Sequence, residues 1–254
     1  MDIWYKIIAI IGACAWIPPI VQIIIKLATK PKLTIFPHRS FQLGYTTNGP
    51  IINIGVALSA ENSECLITNV DLDVKGPNNE QHQLKWQWLE EKLYEIDYSE
   101  LGLTPVRKQQ NAIAIKVLKE NLVEKTIGFH EHAFIVTNDI SYKATTRKYE
   151  LLIRNNQDIQ GLRATQEYDT FRTLLSNSLI WKEGTYEANI KVSVLNISQP
   201  FNKKFKFIVS ANDIQQLQSN IDVCLTLLER HYFPLEDEYI AKWNWVNPSV
   251  LNPD

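Results

Sequence analysis

His130-Glu131-His132 is the constellation in this chain with the clearest chemical potential. On a β-strand the two imidazoles would leave one face about 7 Å apart, a separation that two ligands of one zinc ion can span. A metal site needs at least one more ligand, and no nearby cluster in the sequence supplies it. The pair is therefore expected to be two histidines on a polar or partly packed strand face, and no metal or cofactor is expected. Trp86 and Trp88 are the second candidate, as indole surfaces on which a sugar or base would stack. Two-residue spacing places both on one strand face with Leu84, an arrangement that points to core packing instead. Glu90-Glu91 reads as a solvated strand end. The sequence contains no P-loop, GxGxxG, HExxH, nucleophile elbow or CxxC. The expectation is a protein that is not an enzyme, with no catalytic residues.

The elements around these residues are mostly strands. Residues 32–37 read as a first strand. In 50–60, Ile52, Ile54, Val56 and Leu58 alternate with Asn53, Gly55, Ala57 and Ser59, the period-2 mark of a half-buried strand. In 65–74 the same period places Leu66, Thr68, Val70, Leu72 and Val74 inward and Asn69, Asp71 and Asp73 outward. A third such strand is 83–89, with Leu84, Trp86 and Trp88 inward. Residues 95–110 are expected to be a loop, because they hold Gly102 and Pro105 without a clear period. Further strands are expected at 112–118, 125–136 and 148–153, and a helix within 158–175. Ser210 to Asp213 supply helix-start residues, followed by an apolar stripe of Ile214, Leu217, Ile221, Cys224, Leu225 and Leu228. That helix is expected to pack on the strands. The tail beyond it carries Tyr239, Trp243 and Trp245, a candidate interaction surface for a partner.

Tyr186, Ala188, Ile190, Val192 and Val194 form one face of a strand that opens with Glu183-Gly184-Thr185-Tyr186-Glu187-Ala188. This stretch resembles the tyrosine corner of immunoglobulin-like domains, in which the Tyr hydroxyl reaches back to a backbone group and pins the strand entry. The position two beyond the Tyr, a Cys in antibody domains, is Ala188 here, so no inter-sheet disulfide is implied. Phe205, Phe207 and Val209 would form the last strand. The fold class implied is mainly β: an immunoglobulin-like antiparallel β-sandwich with helical additions. A superfold does not dictate function, so the resemblance implies no site residues.

Composition narrows the partners. The formal charge is −2 over 254 residues, with both signs mixed along the chain, so nucleic acid is not an expected partner. Hydrophobic residues make up 45% of the chain, with 7 Trp, 10 Tyr and 9 Phe, enough to core a folded body. From Ile7 to Ile25 there is no charged residue, a length close to the roughly 20 residues that a membrane-spanning helix needs. Trp4, Tyr5, Lys6 and Lys26 flank this span as interfacial residues, and Pro18 and Pro19 are expected to kink it. The chain thus divides into a single transmembrane anchor at 1–28, a β-sandwich at 29–210 with a helical insertion near 157–177, and a C-terminal helix and aromatic tail at 211–254 packed on the sandwich. Lys26, Lys30, Lys32 and Arg39 follow the span, which places the body in the cytoplasm by the positive-inside bias. Cys65 and Cys224 fit no disulfide or metal pattern, and the sequon Asn196-Ile197-Ser198 points weakly the other way.

The function expected is a membrane-tethered, non-enzymatic binding or adaptor module that recruits a protein partner to the bilayer. Two alternatives stand beside it. Ala9, Gly12 and Ala13 allow close helix approach, so the span would assemble a homo-oligomeric pore or membrane effector gated by the sandwich. Ile11-Gly12-Ala13-Cys14 resembles a lipobox, so the chain would be an exported lipoprotein anchored at Cys14; a simple cleaved signal is the remaining reading of this segment.

Overall fold

The alternating stretches become long antiparallel strands of one sheet. The computed structural model describes residues 14–98, 102–155, 158–234 and 239–251. Helix α1 is Ile17–Ala28. The strands are β1 (Lys32–Thr46), β2 (Gly49–Glu61), β3 (Cys65–Lys75), β4 (Gln81–Tyr98), β5 (Gly102–Asn111), β6 (Ile115–Val117) and β7 (Leu122–Glu131). Helices α2 (His132–Arg154), α3 (Ile159–Arg163) and α4 (Gln166–Asn177) follow, then β8 (Gly184–Val194), β9 (Phe201–Val209), α5 (Ala211–Tyr232) and β10 (Ser249–Leu251).

The sheet runs β1-β2-β7-β4-β3-β8-β9-β10, with β5 on β4 and β6 on β3. This is one hydrogen-bonded path, where a sandwich would pair its strands in two sheets. The path nearly closes on itself through the C-terminal tail. Val250 pairs with Phe207 of β9, and four residues earlier Val246 exchanges two backbone hydrogen bonds with Leu43 of β1, of 2.9 and 3.0 Å. Phe41 of β1 meets Phe207 of β9 edge to face at 4.9 Å across the same seam. The tail, expected to pack on the sandwich, thus supplies a stave of a barrel-like sheet. Asn220 of α5 pins it: the fully buried amide donates to the Asn244 carbonyl and accepts from the Asn244 amide, both at 2.8 Å.

The interior is filled by the apolar faces that the alternation marks, including Ile52, Ile54, Leu58, Val70, Leu72, Tyr186, Ile190 and Phe207. Two register shifts change which residues those are. In β3 a bulge against β8 between Ile67 and Asn69 turns Cys65 and Ile67 inward and leaves Leu66 and Thr68 outside, because one extra residue reverses the pleat. In β4 a shift against β7 between Trp86 and Trp88 keeps Trp86 in the core while Leu89 takes the next inward place. Trp88 instead lies against Gly128 and the His130 ring, at 4.5 Å between centroids.

Three expectations are corrected outright. The segment 95–110 is not a loop: β4 and β5 form a hairpin, with Glu95 opposite Pro105 and Tyr98 opposite Gly102. Proline is tolerated there because β5 is an edge strand, whose outward N–H groups need no partner. The strand expected at 125–136 ends at Glu131, and 148–153 is not a strand but the end of the 23-residue helix α2. The helical insertion therefore begins near 132 and not near 157. Phe134, Asn138, Tyr142, Thr145, Tyr149 and Leu152 are spaced three and four apart, the stripe of a helix; Tyr149, Leu151 and Ile153 only imitate a strand.

Among the described residues, no helix is long and apolar enough to cross a membrane. Helix α1 has 12 residues, about 18 Å at 1.5 Å per residue, against a hydrocarbon core of about 30 Å. Trp4, Tyr5, Lys6, Ala9, Gly12 and Ala13 lie outside the described residues. The helical path is interrupted at Trp16, and Pro18 and Pro19 fall in the first turn of α1, where a missing amide donor costs nothing. Lys26 lies in its last turn.

The two ends of the barrel differ. At one end α1 enters β1, and Ser63 in the turn before β3 donates to the Thr29 carbonyl at 3.4 Å. At the other end α2 to α5 form a cap over a second core of Tyr45, Phe134, Tyr149, Phe171, Leu175 and Leu228, with others. The Tyr45 hydroxyl fastens cap to barrel by donating to the Leu175 carbonyl at 2.6 Å.

Candidate functional site

The helical cap encloses a cleft of about 440 Å³. Each wall comes from one helical stripe: Phe134, Asn138 and Tyr142 from α2, Phe171 and Leu175 from α4, and Cys224, Leu228 and His231 from α5. Residues three or four apart on a helix share a face, which is why short stretches of three helices suffice. The β1–β2 turn supplies Thr47 and Asn48 as a lip. Next to it Gly49 has φ +78°, and a Cβ there would lie 2.2 Å from the Phe134 ring. Glycine is required both for that backbone and for the close approach.

The lining is mainly apolar, with Thr47, Asn48, Asn138, Asp139 and His231 among its polar groups. Asn138 donates weakly to the Thr47 carbonyl at 3.5 Å, while its Oδ1 is buried without a hydrogen-bond partner. Asp139 is paired with Lys143 one turn along α2. Burial raises the Tyr142 hydroxyl above the ordinary tyrosine range, with Tyr232 adding to the effect. Burial likewise pushes the Cys224 thiol up to about 12. The thiolate is the nucleophilic form of cysteine, so this thiol is chemically quiet at neutral pH. Cys65 is also buried and raised by burial, whereas Cys14 is exposed.

Behind the cleft an ion pair holds α3 to α5. Arg163 grips Glu229 with two hydrogen bonds, 2.7 Å from Nε and 2.8 Å from Nη2, and the Tyr168 hydroxyl adds a third at 2.9 Å. Burial alone would raise the Glu229 carboxyl; the bonds from Arg163 and Tyr168 and the guanidinium charge outweigh it and hold it below the ordinary range. The same carboxylate lifts Arg163, and burial lifts the Tyr168 hydroxyl to about 12.

The residues singled out by sequence do not converge here. His130 is the penultimate residue of β7 and buried, while His132 is the first residue of α2 and exposed. The strand-to-helix change between them separates the imidazoles, so they do not share the strand face on which a metal pair was considered. Among the described residues, no group of three or more His, Cys, Asp or Glu is placed to hold a metal ion. His82 Nδ1 instead approaches Glu131 Oε1 at 3.3 Å. Tyr239, Trp243 and Trp245 are each half-buried on their own fold. Tyr239 lies under the Arg230 guanidinium at 4.5 Å, Trp243 against the cap core, and Trp245 against Gly44, where a Cβ would be 2.3 Å away. None of the three lines the cleft. The cleft residues of α2 were missed because the helical spacing from Phe134 to Leu152 was divided between two strands.

A broader trough of about 1250 Å³ lies over the outer face of β3, β4, β8 and β9. Two of its acidic groups are engaged across the strands, Glu187 by Lys206 at 2.8 Å and Asp73 by Lys191.

No family model matches the chain, and no curated protein matches it. Among solved structures it is similar to a family 123 glycoside hydrolase from Clostridium perfringens, with TM-score 0.35 and 11% identity, over 71% of this chain and 27% of that one. It is also similar to Spo0M, a sporulation control protein from Bacillus subtilis, with TM-score 0.30 and 8% identity, over 78% of this chain and 56% of that one. The chain thus spans well under two thirds of either structure. At these TM-scores neither likeness bears on what the chain does.

Proposed function

We propose that the chain is a membrane-tethered, non-enzymatic binding module that recruits a protein partner, and that the cleft in the helical cap receives that partner. The observation that carries this is the polarity of the fold. The apolar N-terminal segment joins the barrel at one end, and the cleft opens among the helices at the other. A chain anchored through 1–28 would hold the cleft away from the bilayer, with the lysines after the span favouring the cytoplasmic side. A mainly apolar lining with a few polar groups suits an apolar side chain from a peptide, with an amide donor directed to Asn138. The perturbed groups around the cleft, Cys224 and Tyr142, are shifted by burial toward their neutral forms. Acid–base work would instead call for groups poised near neutral pH.

The immunoglobulin-like kinship belongs to the same proposal. Its support is local: the Lys182 amide donates to the Tyr186 hydroxyl at 2.6 Å, and that hydroxyl donates to the Lys182 carbonyl at 3.0 Å.

The test is affinity purification of the full chain from its native membrane, in parallel with Leu227→Arg; Leu227 of α5 also lines the cleft and is half-buried, so the variant places a charge there. Proteins retained by the native chain and lost from the variant, with unchanged thermal unfolding, are the expected result. Retention of the same proteins by both removes the cleft from the proposal. Release of the native chain from membranes by alkaline carbonate removes the tether.

A further inference from the structure

We infer that the barrel end from which α1 emerges inserts a rim of leucines into the lipid interface, an inference that rests on the tethering proposed above. Four leucines are exposed at this end: Leu66 at 36%, Leu118 at 45%, Leu195 at 52% and Leu122 at 58%. Single exposed leucines are ordinary, but a group on one face marks an interaction surface.

Backbone pairing brings them together. Lys32 at the start of β1 pairs with Glu61 at the end of β2. Leu122 pairs with Ser59 of β2, and Lys119, next to Leu118, bridges to Ala60. The Glu120 amide donates to the Ala60 carbonyl at 2.9 Å, and the Leu195 amide donates to the Leu66 carbonyl at 2.9 Å. Asn62, Glu120 and Asn196, one in each loop tip here, have φ between 63° and 68°. These are tight turns, so Leu118 and Leu195 are held out on short loops, and Leu66 and Leu122 stand at the strand ends beside them.

The occupant is a bilayer and not another protein because of what precedes the rim. The rim lies at the same end of the sheet as the point where the chain passes from the apolar segment into β1, with Thr29 bonded to Ser63. A segment of 1–28 lying in a membrane would bring this end to the lipid first.

Charge is not the driver. Lys32, Lys116 and Lys119 are paired with Glu61, Glu64 and Glu120 at 2.8, 3.2 and 3.2 Å. The paired lysine stems can lie along the headgroups while the leucines enter the acyl boundary. Insertion should therefore not require anionic lipid.

The experiment uses the full chain carrying Cys14→Ser, reconstituted into phosphatidylcholine vesicles with brominated acyl chains. An environment-sensitive fluorophore is attached at Leu122→Cys, at Leu195→Cys or, at the cap end, at Asn48→Cys; Cys65 and Cys224 are buried. The expected result is blue-shifted, bromine-quenched emission at 122 and 195, and water-like, unquenched emission at 48. Unquenched emission at all three positions in chain that resists carbonate extraction overturns the rim while leaving the tether intact. Quenching only after anionic lipid is added overturns apolar insertion. Extraction of the chain by carbonate removes the tether, and the rim proposal with it.

Discussion

Replacing Arg163 with methionine should destabilise the helical cap in a way that depends on pH. The substitution leaves Glu229, 4% exposed, with the Tyr168 hydroxyl as its remaining donor among the bonds described above. Removing one partner of a buried ion pair costs about 3–5 kcal/mol, because the other charge stays buried and uncompensated. The Arg163 side chain is 48% exposed, so water reaches the vacated position and screening lowers the expected loss to about 2–3 kcal/mol. For a domain of this size that is a fall of about 4–12 °C in Tm.

The pH dependence follows from the direction of the Glu229 shift. In the native chain the folded carboxyl titrates below its unfolded value of about 4.3. Its contribution is therefore complete above that pH and is lost as pH falls through the folded value. In Arg163→Met, burial is no longer outweighed and the carboxyl moves above its unfolded value. The variant is then penalised at neutral pH, and the penalty fades as the pH falls through the raised value. Thermal unfolding of the full chain in detergent, followed by near-UV circular dichroism at pH 7 and pH 4, measures both effects. The difference between native and variant should be largest at pH 7 and shrink at pH 4, and adding Glu229→Gln should recover part of the loss. A loss below about 0.5 kcal/mol, the range of ordinary surface changes, or an equal loss at both pH values, would refute the reasoning.

Tyr186→Phe removes both hydrogen bonds to Lys182 and leaves a backbone amide without its partner, at an expected cost of about 1–3 kcal/mol; hydrogen exchange at the Lys182 amide should quicken. Gly44→Ala places a methyl 2.3 Å from the Trp245 ring, and overpacking of about 1–3 kcal/mol should loosen the closing tail, read as faster proteolysis beyond Pro234 with the rest of the chain intact. Burial lowers His130 from 6.5 to about 4. Its charging opposes folding, so stability should be full above pH 6.5 and decline between there and about pH 4, while its imidazole resonances stay in the neutral form down to pH 5.

The parts legible from sequence are those governed by near neighbours. The alternation in 52–58 and 186–194 places the same side chains in the barrel interior, because a pleated backbone sends successive residues to opposite faces whatever lies beyond. Helix α5 is legible for the same reason: Ser210 and Asp213 form its capping box, and its stripe is buried from Leu217 to Leu228.

The rest depended on partners distant in the chain. The bulges in β3 and β4 exist only against β8 and β7, so the inward places of Cys65, Ile67 and Leu89 cannot be read from the strand alone. Tyr149, Leu151 and Ile153 alternate like a strand, yet the apolar cap core rewards the helical stripe to which Tyr149 and Leu152 belong. The tail joins the sheet because Leu43 and Asn220 offer hydrogen bonds to Val246 and Asn244, groups just over two hundred residues away in one case and 24 residues away in the other. The cleft is the extreme instance: its walls come from three helices and a turn, and its hollow exists only when all of them are assembled. Sequence determined the local periods and the apolar N-terminal segment; tertiary structure decided the register, the closure and the site, since each of these is a relation between segments.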